Sequence, residues 1–370
     1  MNKHLHIISF DIPFPPSYGG VIDVFFKIKA LHEKGVKIHL HCFEYGRKHT
    51  DELGSICESV NYYRRKSGPA YLFGSLPYIV STRSSGSLAK ELLKDDHAIL
   101  FEGLHCCSHL ADVRLKNRKK IVRMHNIEHD YYDSLAKVER SFFKRKYFNS
   151  EAKKLKKFEQ VLTLAANVIA ISPADSFYLS EKYKNVSCIS PFHPDERVQV
   201  REGKGDFVLY HGNLAIGENN EAALFLVNKV FNDLKIPLII AGNDPSEELL
   251  TAAKKNPYIS IKKNISTNEI YALIRQAQIN ILPTFQSTGI KLKLLAALFN
   301  GRHCIVNSPM VKGTGLEQLC IVADASQAMK EAVNKFFAAD LDEQEKTKRE
   351  KILLRDFSNA ANAEKLLSLI

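Results

Sequence analysis

The sequence predicts an α/β chain of two doubly wound domains in tandem, and three observations carry that expectation. Short apolar runs alternate with helical segments through both halves, the pattern of parallel sheets covered by helices. The chain has 370 residues, enough for two cores at roughly 150 residues per domain. Between the halves, residues 190–205 break the alternation, with Pro191, Pro194, Gly203 and Gly205 set among charged residues, so a linker is placed at 195–205.

In the first domain, residues 1–194, the apolar run Leu5–Phe10 reads as a strand, Asp11–Gly20 as a loop rich in Pro and Gly, and Val21–Lys34 as a helix closed by Gly35. Ile38–Phe43 alternates as the next strand. Ala98–Phe101, Lys120–Met124 and Val168–Ile171 are further short strands separated by helical segments. Across Val138–Leu162, Phe148, Ala152, Leu155, Phe158 and Leu162 recur at spacings of four, three, three and four, a helical stripe. Its other faces are basic: residues 137–157 hold nine Lys/Arg against two Glu, one amphipathic element suited to an anionic membrane surface or to plain solvation.

The second domain, residues 206–351, repeats the alternation. Phe207–Tyr210 is a strand ending in His211-Gly212-Asn213, and Asn219–Phe231 a helix. Pro237–Ala241 is a strand ending in Gly242-Asn243-Asp244, and Ser246–Lys255 a helix. Ile259–Lys262, Ile279–Pro283 and His303–Asn307 follow as strands, with helices Thr267–Gln276 and Ile290–Phe299 between them. Helices at Ser326–Phe337 and Asp342–Lys351 come next, and Asn359–Ile370 ends the chain.

Composition narrows the function classes. Hydrophobic residues at 45% and charged residues at 25% are those of a folded globular protein. The longest apolar run, Val161–Ile171, is interrupted by Thr163 and Asn167 and falls short of the roughly 18 residues of a spanning helix. The N-terminal run before Asp11 is too short for a secretory signal, so the expected place is the cytoplasm. Seven cysteines without a C-x-x-C pair suggest reduced thiols rather than a disulfide framework or a structural zinc site. The net charge of +11 is uneven: residues 1–194 hold 30 Lys/Arg against 20 Asp/Glu, and residues 195–370 hold 22 against 21. One domain therefore suits an anionic partner, or carries a solvated basic face.

In open parallel sheets ligands bind beyond the carboxyl ends of the strands, and two such domains set a cleft between them, so site residues are sought just after strands. The segment from Pro13 to Gly20 follows the first strand and opens a helix. Its glycines bring bare N–H groups toward an anion, or simply make a tight turn. His125-Asn126-Ile127-Glu128-His129 follows another strand. On one helix His125, Glu128 and His129 would form an H-x-x-E-H zinc site, but the strand-to-loop position sets His125 at or before the helix start, and no metal is expected. In the second domain, Gln286-Ser287-Thr288-Gly289-Ile290-Lys291-Leu292-Lys293 places hydroxylated residues and two lysines at a helix start, which suits a diphosphate or a capped surface helix. No G-x-S-x-G or G-x-x-x-x-G-K-[ST] motif is present, and Gly313-Thr314-Gly315 lacks the third glycine of a dinucleotide fingerprint.

Together the motifs resemble the GT-B glycosyltransferases, in particular retaining family 4 (group 1), over nearly the whole chain. The resemblance rests on Gly19-Gly20, Glu102-Gly103-Leu104-His105, His125-Asn126-Ile127-Glu128, Glu151 through Ile171-Ser172-Pro173, Tyr210-His211-Gly212-Asn213 with Asn219-Asn220-Glu221-Ala222, Ile239-Ile240-Ala241-Gly242, and Gly289 to Leu295 ending in Asn300-Gly301-Arg302. It implies two Rossmann-like domains facing a cleft, with the last helix, in residues 352–370, crossing back to the first. It implies a hexosyltransferase of mannose or glucose type acting in surface polysaccharide biosynthesis. The donor would be a nucleotide-diphosphate sugar, the acceptor lipid-linked or an oligosaccharide, the mechanism retaining and metal-independent, with no cofactor. By the same resemblance His125 and Lys291 act at the reacting centre. Gly20, Gly212, Asn213, Gly242, Asn264, Ile265, Ser287, Thr288, Gly289 and Lys293 line the donor, and Tyr18, Gly19, Glu102, His105 and Asn126 the acceptor. Thr288 and Ala296 stand where relatives often carry two glutamates eight positions apart, the second of which holds the ribose. A GT-B subunit that binds glycan or nucleotide without catalysis is the alternative, and a sugar-nucleotide epimerase a further one. No nucleic-acid module is recognisable, so no nucleic-acid partner is expected. A cytoplasmic protein peripheral to the inner membrane face is the expectation if the basic helix docks.

Overall fold

The computed structural model describes residues 3–139, 141–285 and 290–370, and the chain divides into two compact units, Met1–Pro194 with Phe357–Ile370 and Asp195–Asp356. The first unit is built on a parallel sheet of seven strands: β1 (His4–Ser9), β2 (Lys37–Glu44), β3 (Ser59–Arg64), β4 (Ala98–Glu102), β5 (Lys120–Met124), β6 (Asn167–Ala170) and β7 (Val186–Cys188), ordered β3-β2-β1-β4-β5-β6-β7. Successive side chains point to opposite faces. Leu5 and Ile7 therefore enter one core with Ile28 and Leu31, while Ile8 enters the other with Phe101 and Leu155. The edge strands β3 and β7 were not expected. β3 is half-exposed and polar, and β7 is three residues long, so neither carries a strong apolar run.

The helix Gly19–Glu33 ends where Gly35 takes φ +78° and its N–H returns to the His32 carbonyl at 2.8 Å, the left-handed C-terminal geometry that glycine adopts without strain. The basic stripe expected as one element is two helices, Glu128–Val138 and Phe142–Phe158. Glu139 and Ser141 are extended, with ψ 124° and 121°, and the two helices pack against each other, with Tyr132 edge-on to Phe148. The C-terminal helix Asn359–Leu367 belongs to this unit. It packs on Gly19–Glu33, Lys3 caps the Leu367 carbonyl at 2.8 Å, and Asn359 exchanges hydrogen bonds with the backbone of His193.

The second unit has a six-stranded parallel sheet, β8 (Val208–His211), β9 (Leu238–Gly242), β10 (Ile259–Lys263), β11 (Ile279–Leu282), β12 (His303–Val306) and β13 (Ile321–Val322), ordered β10-β9-β8-β11-β12-β13. The stretch 195–205 is part of this unit rather than a free linker. Asp195 accepts from Asn300 Nδ2 at 2.8 Å and Tyr271 OH at 3.2 Å, and the Gly205 N–H donates to Gln278 Oε1 at 2.7 Å. The unit extends to Asp356 rather than 351, because Ile352 and Leu353 are buried in the helix Glu343–Asp356, whose Arg349 donates to the Gly301 and Arg302 carbonyls at 2.7 and 2.8 Å. Among the described residues no helix is long and apolar enough to cross a membrane.

Candidate functional site

Strand order reverses between β1 and β4 in the first sheet and between β8 and β11 in the second, the points where the carboxyl ends of an open sheet leave a crevice. At the first reversal stands a buried network of four charges. Arg123 on β5 forks onto Asp23, with Nε and Nη2 at 2.9 and 2.8 Å. Lys27, one turn beyond Asp23 on the helix Gly19–Glu33, bridges Asp23 at 3.1 Å and Glu102, the last residue of β4, at 2.8 Å. All four side chains are essentially buried. Burial alone would raise both carboxyls, but Arg123 and Lys27 hold Asp23 below the usual carboxylate range, and Lys27 and His125 do the same for Glu102. Two acids and two bases thus neutralise each other, which makes the burial tolerable.

His125, in the loop between β5 and the helix Glu128–Val138, meets this network at its open side. Its Nε2 lies 2.9 Å from Glu102 Oε2, and since an ionised carboxylate only accepts, His125 donates from Nε2. Nδ1 stands 3.8 Å from Asp23 Oδ2, beyond hydrogen-bond reach. Phe10, just after β1, sets its ring at right angles to His125 with centroids 5.5 Å apart. Asp23, Glu102 and His125 bring three possible metal-ligand atoms together, yet Lys27 and Arg123 already balance both carboxylates.

Beside the network lie His105 and Glu128, with Nδ1 and Oε1 3.8 Å apart. Burial keeps His105 well below its ordinary value, helped by Arg83 and His125, while burial pushes Glu128 up to about 8 against the pull of Arg83. Both groups are therefore uncharged near neutral pH. Gly103, at φ +69°, lets the chain turn between Glu102 and His105, where a Cβ would come within 3.1 Å of His105 Nδ1.

The second unit's reversal is cationic. Lys293, in the first turn of the helix Leu292–Asn300, donates to Asn219 Oδ1 at 2.8 Å and lies over the Tyr210 ring. Burial lowers it to about 8, with Glu218 opposing that shift and Lys291 adding to it. Lys291, the residue preceding that helix, is 3.9 Å from Glu218, which also accepts from the Thr284 hydroxyl. His211, at the end of β8, is buried, held near 3 by desolvation and by Lys293, and among the described residues its Nε2 has no hydrogen-bond partner. A buried nitrogen near Lys293 at a helix start can accept a hydrogen bond from a ligand or water.

The expected site residues fall into three groups. Glu102, His105 and His125 gather at the first reversal, and Gly212, Lys291 and Lys293 gather around Glu218 and Asn219 at the second. Several others have structural work. The Phe10 ring covers Gly20, so a Cβ there would meet Phe10 Cζ at 2.5 Å, whereas Gly19 stands in open space. Gly242 lets the ends of β8 and β9 approach, since its Cβ would strike the Gly212 carbonyl. Asn264, at φ +56°, turns the chain and accepts the Asp244 N–H, and Ile265 packs on an apolar cluster. Tyr18 bonds Asp11 through its hydroxyl at 2.8 Å, Asn213 is exposed and caps the Ala215 N–H, and Asn126 is half-buried beside His125. Ser287, Thr288 and Gly289 lie outside the described residues. His129, offered with His125 in the zinc pattern, instead meets Tyr178 OH at 3.0 Å. Asp23, Lys27, Arg123, His211 and Glu218 were not among the expected site residues, and Glu128 was named only in the zinc pattern. The available signal was charge at buried positions: Asp23 and Lys27 four apart in an apolar helix, and Arg123 within an apolar strand.

No family model matches the chain. It is 28% identical over 355 residues to an uncharacterised 44.6 kDa protein in the cps region of Klebsiella pneumoniae, with 89% of both chains covered. Among solved structures it superposes on TarM with a TM-score of 0.70 at 11% identity, covering all of this chain and 99% of that one. An α,α-trehalose-phosphate synthase (UDP-forming) from Burkholderia xenovorans gives 0.66 at 8% identity, with 99% of each chain covered. Two parallel α/β units with these neighbours make the fold of this chain GT-B, two Rossmann-like domains in one polypeptide.

Proposed function

We propose that this chain is a glycosyltransferase that moves a hexose, of mannose or glucose type, from a nucleotide-diphosphate sugar to a lipid-linked or oligosaccharide acceptor in surface polysaccharide biosynthesis. The observation that carries this reading is the pair Lys291 and Lys293 at a helix start after β11, near buried His211, whose Nε2 has no hydrogen-bond partner among the described residues. Charge develops on the leaving diphosphate during transfer, and fixed ammonium groups with helix N–H groups stabilise it more than the ground state. The first unit takes the acceptor side. There the Glu102–Lys27–Asp23–Arg123 network holds His125 so that Nδ1 accepts from a sugar hydroxyl, and the uncharged His105 and Glu128 offer further hydrogen bonds. Transfer with retention lets the leaving phosphate take the acceptor proton, which requires neither a protein base nor a metal. The UDP-forming synthase among the structural neighbours and the cps-region relative support the donor and acceptor classes.

One observation favours a non-catalytic reading. Ala296 is buried in an apolar cluster with Phe207, Leu209 and Leu273, where the resemblance places a ribose-binding glutamate. Thermal shift with UDP, GDP, ADP and their sugar conjugates tests donor binding in wild type beside Lys291→Ala. Stabilisation by one nucleotide, reduced in the variant, is the expected result, and no shift with any of them overturns it. Product formation with the stabilising donor then separates the enzyme from a binding scaffold.

The basic helix Phe142–Phe158 carries the exposed Phe142 and Phe143, and its Lys154 donates to the Leu72 carbonyl at 2.7 Å, in a loop whose Phe73 and Leu76 are also exposed. Aromatic side chains among lysines suit the headgroup region of an anionic membrane. Sedimentation with phosphatidylglycerol vesicles, lost in Phe73→Ser/Phe143→Ser, is the expected outcome. Equal sedimentation of the variant removes this surface from the reading.

A further inference from the structure

The amino ends of β1 and β2 are paved with imidazoles. His4 and His6 alternate along β1, and His39 and His41 along β2, so all four stand on one face of the sheet, with His6 paired to His39 in register. His97 immediately precedes β4, whose Ala98 pairs with Leu5, and its ring stacks on His4 with centroids 4.5 Å apart and planes at 16°. The opposite face of these strands is ordinary core, formed by Leu5, Ile7, Ile38 and Leu40. Packing therefore does not demand five histidines, and the reaction proposed above does not use them. His97 and Glu102 lie at opposite ends of β4, about 16 Å apart at ~3.3 Å per residue.

We propose that His4, His39 and His97 form a site for one divalent transition-metal ion of the zinc class, separate from the candidate reaction centre. One nitrogen from each lies within 4.8 Å of the other two, and His4 Nδ1 and His39 Nε2 are 3.0 Å apart. Tetrahedral zinc with bonds of about 2.0–2.1 Å sets its ligand nitrogens about 3.3 Å apart, and turning the three stacked rings about their side-chain torsions brings their nitrogens to that spacing. The supporting shell is already in place. His39 Nδ1 meets Ser59 Oγ at 3.0 Å, which directs Nε2 toward the site. Asp95 accepts the His97 backbone N–H at 3.1 Å, His6 Nε2 at 3.0 Å and Arg118 Nη2 at 2.9 Å, and so holds the segment that presents His97. His4, His39 and His97 are half-buried, which leaves an entry path, and the exposed Asp96 carboxylate, 4.0 Å from His97 Nδ1, or water supplies the fourth position. Imidazole donors suit zinc, copper and nickel rather than magnesium or calcium.

The test is calorimetric titration of zinc chloride into the chelator-stripped full chain, for wild type, His97→Ala, His4→Gln, His125→Ala and His49→Ala. One zinc per chain is expected in wild type, His125→Ala and His49→Ala, with affinity reduced at least about tenfold in His97→Ala and His4→Gln. His97 is a loop residue, and unchanged zinc-free melting of its variant shows that the fold survives. Cobalt titration of wild type adds the strong visible absorption of a four-coordinate site. Absence of saturable binding overturns the proposal, as does binding that survives both cluster variants. Loss in His125→Ala overturns it too, by placing the ion at Asp23, Glu102 and His125.

Discussion

The two strand-order reversals solve opposite electrostatic problems. In the first unit Asp23, Glu102, Lys27 and Arg123 form a buried set whose charges cancel, with His125 hydrogen-bonded to Glu102 at its edge. In the second unit two lysines, Lys291 and Lys293, stand near Glu218, and Lys293 also acts on the neutral His211. A balanced network orients a hydrogen-bonding group without attracting ions, whereas an unbalanced one gathers an anion and depends on it for full neutralisation. Neutral sugar hydroxyls fit the first arrangement, and a diphosphate fits the second.

The largest effect that would break this contrast is on stability. Arg123→Met leaves Asp23 buried with half its cationic support, and a loss of about 3–5 kcal/mol is expected in urea unfolding. Lys291→Ala should change stability by less than about 1 kcal/mol, because its pairing with Glu218 is long and part-exposed. Equal losses would erase the distinction between the two regions.

Glu128 sharpens it through pH. Its carboxyl titrates at about 8 in the folded chain against an ordinary 4.5, so the folded state holds the extra proton between those values. That contribution is fully present below pH 4.5 and is lost as pH rises through 8, on the order of 5 kcal/mol in all. Glu128→Gln should flatten this slope, so that the variant gains melting temperature relative to wild type at pH 8.5 but not at pH 5.

Smaller effects concern binding. Lys291→Ala is expected to weaken nucleoside-diphosphate affinity about tenfold or more, near 1.4 kcal/mol, while His125→Ala leaves that affinity intact and lowers transfer. Calorimetry with the stabilising nucleotide checks both, and an equal affinity loss in His125→Ala would move the histidine into the donor site. Lys293 titrates at about 8, so affinity should fall as pH rises from 7 to 9 by a few-fold. A flat profile in that range would show that Lys293 does not meet the phosphates.

Much of the architecture was legible because alternation is a local signal. Leu5–Phe10, Ile38–Phe43 and the later strands announce themselves by runs of residues that must leave water, and Thr267–Gln276 begins at a serine that caps it, with Glu269 closing the box. The edge strands β3 and β7 were illegible for the same reason in reverse, since half-exposed strands need not be apolar. The division into Glu128–Val138 and Phe142–Phe158 was hidden because the stripe of Phe148, Ala152 and Leu155 lies wholly in the second helix, while the run of Lys and Arg that joins it to Lys137 carries no mark of a helix end.

The site was legible only in part. Segments just after strands, such as Glu102 to His105, His125-Asn126 and Lys291 to Lys293, follow from the rule that parallel sheets expose their carboxyl ends. What occupies those ends depended on partners far away in sequence: Arg123 reaches Asp23 across 100 positions, and Lys293 reaches Asn219 across 74. Gly20 illustrates the limit, because Phe10, a residue that no periodicity places there, lies where any side chain at that position would stand.

The sequence by itself determined two α/β units and the succession of their principal strands along the chain, since each follows from burial over a few adjacent residues. Only the tertiary structure decided which charges cancel, which histidines stay neutral and where imidazoles from β1, β2 and the turn before β4 converge. Those outcomes depend on desolvation and on distances of a few ångströms between segments that the chain's local pattern does not connect.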